Sequence, residues 1–137
     1  MSSEILSSKD REDIISYNKS LAEKDGELFE VDRDDLYTIL NKMNSYNSIQ
    51  NRRQRIIKKA TRILAGITRY QLFHEGNRRT AINATASYLQ RNGFSFSVDT
   101  ADEQEELYDL LERTIWKVTN DSTIFSEVEE YLSRKVQ

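Results

Sequence analysis

Residues 73–80 read Phe-His-Glu-Gly-Asn-Arg-Arg-Thr, and they are the residues of this chain best suited to chemistry. An acidic residue, a glycine, an asparagine and two arginines fall where the periodicity predicts a helix to begin. A helix start gathers unpaired backbone N–H groups and the positive end of the helix dipole, which suits a phosphate. Gly76 lets the chain turn tightly, and Asn77 offers an amide donor. Arg78 and Arg79 supply charged forks for phosphate oxygens, and Glu75 can hold Mg²⁺ through its carboxylate and water. The spacing points to a nucleotide-phosphate site. The competing structural roles are a first-turn Glu75 that offsets the dipole and arginines engaged in surface salt bridges.

The elements that position this run read as helical nearly throughout. A first helix is predicted over about 8–24, with Ile14, Ile15, Tyr17 and Leu21 as its apolar stripe and Gly26 beyond its end. Residues 27–31 read as a short extended piece or hairpin. Asp32 and Asp35 then resemble a capping box, followed at helical spacing by Leu36, Ile39, Leu40 and Met43. Residues 44–48 read as a loop. A long helix over roughly 49–70 presents Ile56, Ala60, Ile63, Leu64 and Ile67 on one face and feeds into the motif. The next, over about 77–92, turns Ala81, Ala84, Tyr88 and Leu89 inward and stops at Gly93. Phe94, Phe96 and Val98 alternate with serines as a brief strand signal. Helices over about 101–119 (Leu107, Leu110, Leu111, Ile115, Val118) and 123–136 (Phe125, Val128, Leu132) complete an all-α domain. Trp116 and the tyrosines read as core or interface.

Composition bounds the class. A chain of 137 residues fits one domain with one core. It has no cysteine, which excludes disulfides and thiol chemistry, and no proline, which favours unbroken helices. No apolar run reaches the roughly 20 residues that span a bilayer, and the first residues lack a signal pattern, so no membrane role and a cytoplasmic location are expected. The net charge of −3 conceals an asymmetry. Residues 51–80 hold Arg52, Arg53, Arg55, Lys58, Lys59, Arg62, Arg69, Arg78 and Arg79 against Glu75 alone, giving this segment +8 and the remainder −11. The basic middle is either an anion-attracting feature or a solvated helix face.

The run from Gln71 through Phe73, Glu75, Gly76, Asn77 and Arg79 resembles the signature of the Fic/Doc (Fido) family, His-x-Phe-x-(Asp/Glu)-(Gly/Ala)-Asn-(Gly/Lys)-Arg. The long helix before it, and the helix after it ending in Tyr-Leu-Gln-Arg-Asn-Gly-Phe over 88–94, are similar to the family's setting. The resemblance covers about 10–120. It implies a single Fic/Doc-type helical bundle with a central motif loop and helix N-terminus, optionally with a short β-hairpin flap. It also implies transfer of AMP or of a phosphoryl group from ATP, with Mg²⁺, to a hydroxyl on a target protein. Members often act as toxins paired with an antitoxin or another inhibitory partner. Carried over, Phe73 packs in the core, Glu75 binds Mg²⁺, Gly76 and Asn77 form the anion hole, and Arg79 holds a phosphate. Arg78 stands where Doc has lysine and Fic enzymes have glycine, which favours the Doc-like, γ-phosphate reading.

One departure bears on all of this. The family's catalytic histidine falls at Gln71, and an amide has no useful basicity. Loss of a general base costs about 10²- to 10⁴-fold in rate, while positioning and electrostatics can persist. The only histidine, His74, lies three residues on as a candidate substitute base, and Tyr70 ionises too high to serve. Residues 126–130 match five positions of the family's inhibitory Ser/Thr-x-x-x-Glu-(Gly/Asn) helix, and Tyr131 breaks the sixth. Three readings follow: a Doc-like transferase, a degenerate relative that binds nucleotide or partner as a regulator, and a small nucleic-acid-binding helical protein. The overall acidity and the lack of a helix-turn-helix pair weigh against the third.

Overall fold

Five of the six α-helices among the described residues begin on a side chain that the sequence supplies. In the computed structural model, which describes residues 2–117 and 119–137, these are α1 (Ser8–Asp25), α2 (Arg33–Asn41), α3 (Arg52–Tyr70), α4 (Asn77–Arg91), α5 (Ala101–Trp116) and α6 (Asp121–Lys135). Ser7 and Asp10 form a reciprocal capping box for α1, and Thr100 and Glu103 do the same for α5. Asn51 and Asn120 cap α3 and α6 by accepting from backbone N–H groups. Asp32 caps α2, but Asp35 does not reciprocate as the sequence suggested. Two carboxylates that close repel, and the Asp35 pKa is raised chiefly by its hydrogen bond with Asp32. Only α4 starts without a side-chain cap, at Gly76 in the left-handed conformation.

The all-α expectation holds, and one cluster of buried side chains runs through all six helices. Its axis is α3, along which α4 and α6 pack, with α2 and α5 on its flanks and α1 against α4. The sequence assigned α3 a single apolar face, but most of its second half is enclosed, including Thr61, Ala65, Gly66 and Thr68. The threonines tolerate this because each hydroxyl donates to the carbonyl four residues back, at 2.8 Å. No helix is long and apolar enough to cross a membrane among the described residues.

Several boundaries differ for local reasons. The α3 helix starts at Arg52, after the Asn51 cap, and not near residue 49. The predicted loop over 44–48 is largely a 3₁₀ turn, Lys42–Tyr46, which continues α2 at a tighter pitch. Residues 27–31 form no hairpin; they meet the motif through one isolated antiparallel bridge, Val31 with Phe73. Residues 94–98 form no strand either: Phe94 N donates back to Leu89 O at the end of α4, and across the chain only Ser95 pairs, exchanging two hydrogen bonds with Gln137. Trp116 ends α5 at 71% exposure, so of the core and interface roles read for it the core one does not hold. Val118, expected on the same apolar face, lies outside the described residues.

The basic stretch is tied into the fold. Arg55 grips Glu4 with two hydrogen bonds, at 2.7 and 3.0 Å, and Lys59 lies 3.8 Å from the same carboxylate. Arg53 donates to the carbonyls of Ser133 and Val136, and Lys58 pairs with Glu129. Arg62 stacks on Phe125, and Arg69 donates to the carbonyls of Thr114, Lys117 and Thr119 at the end of α5. A cation there satisfies orphan acceptors and complements the helix dipole. These cations are structural ties, not a free basic stripe.

Gly66 marks the closest approach of α2 to α3, because a Cβ there would lie 2.7 Å from Ile39 Cγ2. Alanine would gain about 1 kcal/mol in helix propensity but overpack a branched neighbour, a cost of about 1–3 kcal/mol. Gly66→Ala is therefore expected to lose about 1 kcal/mol in urea unfolding. Adding Ile39→Ala should cost less than it does alone; simple additivity of the two changes would sink the steric account.

Candidate functional site

The motif loop is the short link between the two most intimately packed helices, α3 and α4. It opens at Gln71, which adopts φ 48° and ψ 57°, the only left-handed non-glycine residue among those described. Its side-chain amide donates back to Thr68 O at 2.8 Å, closing the end of α3. Gln71 is thus a helix stop at the position of the family base, and it lacks basicity. The chain then dives inward: Leu72 and Phe73 are buried. Asp32 N donates to Leu72 O and His74 N donates to Glu30 O, tying the loop to residues 30–32. Phe73 occupies the core as the motif implied.

Asn77 locks the turn. Its Nδ2 donates to Phe73 O at 2.8 Å and its Oδ1 accepts from Phe73 N at 2.9 Å, with the side chain buried. The amide donor that the sequence reading offered to a phosphate is therefore spent inside the loop. What Asn77 brings to an anion is its backbone N–H, as the first residue of α4.

A residue that the sequence reading missed holds the loop from outside. Asn18 of α1, 2% exposed, donates to Glu75 O at 2.7 Å and to Thr80 Oγ1 at 3.0 Å. The available signal was its register, because Asn18 sits between Ile14 and Ala22 on the buried stripe of α1. A polar side chain there must find partners. Gly76, at φ 75°, turns directly beneath this amide, where a Cβ would come 3.3 Å from Asn18 Nδ2. The position thus disfavours a side chain on both conformational and steric grounds.

Two arginines leave the start of α4 in opposite directions. Arg79 Nη2 pairs with Asp25 Oδ2 at 2.7 Å, at the end of α1, and this contact raises its pKa further. Arg78 Nη1 pairs with Glu112 Oε2 of α5 at 2.8 Å, its guanidinium 5.4 Å from the Tyr108 ring. The salt-bridge role weighed for both residues is what the structure shows. Both remain partly exposed, so an anion entering the site meets the pairs at the surface and not in the core.

The predicted residues converge. One open cavity of about 630 Å³ is lined by Gln71, His74, Glu75, Gly76, Asn77, Arg78 and Arg79, with α5 contributing its far wall. A smaller space of about 160 Å³ shares Glu75, Gly76 and Arg79 with Asp25 and Glu27. His74 is exposed at the mouth and also faces a groove of about 570 Å³ walled by residues 30–34. Tyr70 donates to Asp121, away from the cavity, and burial together with that carboxylate pushes its phenol up to about 12, further from service as a base. Ser126 and Glu130, of the inhibitory-helix match, lie on α6 and do not line the cavity. No group of three or more His, Asp or Glu side chains is placed to hold a metal among the described residues. No family model, no curated protein and no solved structure matches the chain, and the resemblance rests on the motif itself.

Proposed function

We propose that this chain is a Doc-like Fic/Doc protein that binds ATP with Mg²⁺ at residues 73–79 and modifies a protein hydroxyl by phosphoryl or AMP transfer. One observation carries the reading: Glu75, Arg78 and Arg79 line a single cavity at the start of α4, the one α-helix among those described that has no side-chain cap. Backbone N–H groups and the dipole there suit an anion, which the two cations would reach on leaving their carboxylates. The donor set also suits Mg²⁺, which takes one or two carboxylates and completes its shell with water and phosphate oxygens. Glu75 would hold the ion, and the ion would neutralise phosphate charge.

The protein's own residues do the rest. Asn77 and Asn18 fix the loop, Gly76 lets phosphate approach the backbone, and Arg79 and Arg78 leave Asp25 and Glu112 to receive phosphate oxygens. The acceptor would be a hydroxyl side chain on a target protein, and the regulator, if the protein acts as a toxin, would be an antitoxin or other inhibitory partner.

A second reading is favoured by Gln71. Its amide closes α3 and cannot take a proton, so the chain would bind nucleotide or a partner as a catalytically degenerate regulator. Labelled ATP separates the two. The transferase reading expects label on a protein in a cell lysate, from the γ-position for the Doc-like phosphoryl transfer or from the α-position for AMP transfer, with Gln71→His accelerating either by about 10²-fold or more. Histidine tolerates the left-handed conformation better than most residues, so the variant is expected to fold. Silence from both the wild type and Gln71→His leaves the regulator. Calorimetric titration with Mg²⁺-ATP, alongside Arg79→Ala, tests the nucleotide premise: saturable binding that the variant loses supports it, and no binding at millimolar nucleotide defeats the transferase and leaves only a partner-binding regulator.

A further inference from the structure

The cavity has a second wall that the motif does not provide. Tyr108, Glu112 and Trp116 recur every four residues along α5 and so share one face of that helix, opposite the start of α4. The neighbouring stripe of α5, Leu107, Leu110 and Leu111, is buried in the core. Tyr108 and Trp116 are instead 40% and 71% exposed.

Their placement is ordered. Trp116 Nε1 donates to Glu112 Oε1 at 3.0 Å, while the other oxygen of the same carboxylate accepts from Arg78 Nη1 at 2.8 Å. Arg78 in turn lies over the Tyr108 ring. One carboxylate thereby sets an indole, a phenol ring and a phosphate-seeking guanidinium side by side in one cavity.

We propose that Trp116 and Tyr108 are the base-binding wall of this site, an aromatic platform for the nucleobase of a nucleoside phosphate whose phosphates lie at the start of α4. The inference rests on the nucleotide-phosphate reading above and names the part of the ligand that reading leaves open. A base has a flat, uncharged π face that stacks on an indole or phenol ring, and its phosphates match the cations beside those rings. An inorganic polyphosphate has the charge but no such face. The site is therefore expected to prefer nucleoside triphosphate to tripolyphosphate, and the preference to reside in α5.

The test is calorimetric titration of the full chain with Mg²⁺-ATP and, separately, with Mg²⁺-tripolyphosphate. ATP is expected to bind about tenfold more tightly, the scale of one base stacked on one ring. Trp116→Ala should erase that margin while leaving tripolyphosphate affinity within about twofold, and Trp116→Phe should restore most of it. Trp116 is the single tryptophan in the chain, so ATP should also change the wild-type fluorescence more than tripolyphosphate does. Equal binding of both ligands, or an ATP preference untouched by Trp116→Ala, overturns the platform and leaves the phosphate site standing. If neither ligand binds, the phosphate reading fails and takes the platform with it.

Discussion

Asn77→Ala is expected to lower the unfolding free energy by about 3 kcal/mol, the largest effect of any single change within the motif. The variant removes both hydrogen bonds that close the turn and leaves the N–H and C=O of the buried Phe73 without those partners. Each buried backbone group stranded in this way costs about 1–3 kcal/mol, against a total stability of about 5–15 kcal/mol for a domain of this kind. Asn77→Asp refines the argument. The carboxylate can still accept from Phe73 N but cannot donate to Phe73 O, whereas the protonated acid can do both. Its folded pKa should therefore rise above the unfolded value, so the variant gains stability below the unfolded pKa and loses it as pH climbs through the folded one. Urea unfolding of both variants across pH reads this out. An Asn77→Ala protein within 0.5 kcal/mol of wild type would show that the turn does not depend on the staple.

Glu4→Gln is expected to rank beside it, at a cost of about 3–5 kcal/mol, because it removes the carboxylate shared by Arg55 and Lys59. Lys59 is only 2% exposed, and a buried cation stripped of its partner is costly. The two hydrogen bonds from Arg55 hold the Glu4 carboxyl down at about 2, from an ordinary value near 4.5. For a depressed carboxylate, the stabilisation is fully present above the unfolded pKa and is lost as pH falls through the folded one. The window is thus pH 4.5 down to about 2, and the pair is worth roughly 3 kcal/mol at neutral pH. Subtracting the Glu4→Gln stability profile from that of wild type isolates this contribution from other carboxylates. The difference should be flat above pH 5 and shrink below 4.5. Adding Lys59→Met should recover part of the loss, and a double variant no better than the single one would count against the buried-charge explanation.

The parts of the fold that were legible in the sequence are those with local causes. Gly26 and Gly93 sit in left-handed turns just past helices, and Asp32 caps α2, because such signals act over a few residues. The motif was legible for the same reason, since Glu75 to Arg79 are contiguous and a helix start positions them. Residues 94–98 failed the other way: Phe94, Phe96 and Val98 alternate as a strand should, yet only Ser95 pairs with a distant segment, and pairing is not a property of one segment. Glu4 and Asn18 were invisible because their partners are far off in the chain. Trp116 lies outside the core because residue type states a preference for burial, while the end of α5 decides where the ring goes.

The uncapped start of α4 bears on the order of events during folding. The other five helices carry their own start signal within three residues, so each can begin from local sequence. For α4 the tie comes from Asn18, 57 and 62 residues earlier, and closing a loop of that length costs chain entropy before any contact is gained. The local Asn77–Phe73 staple can close the turn early, but the loop that gathers Glu75, Arg78 and Arg79 is expected to be fixed only when α1 docks. A chain that has formed α1 to α3 but has not docked them has helices and no site, and any ligand that favours the completed loop acts on the last step of assembly.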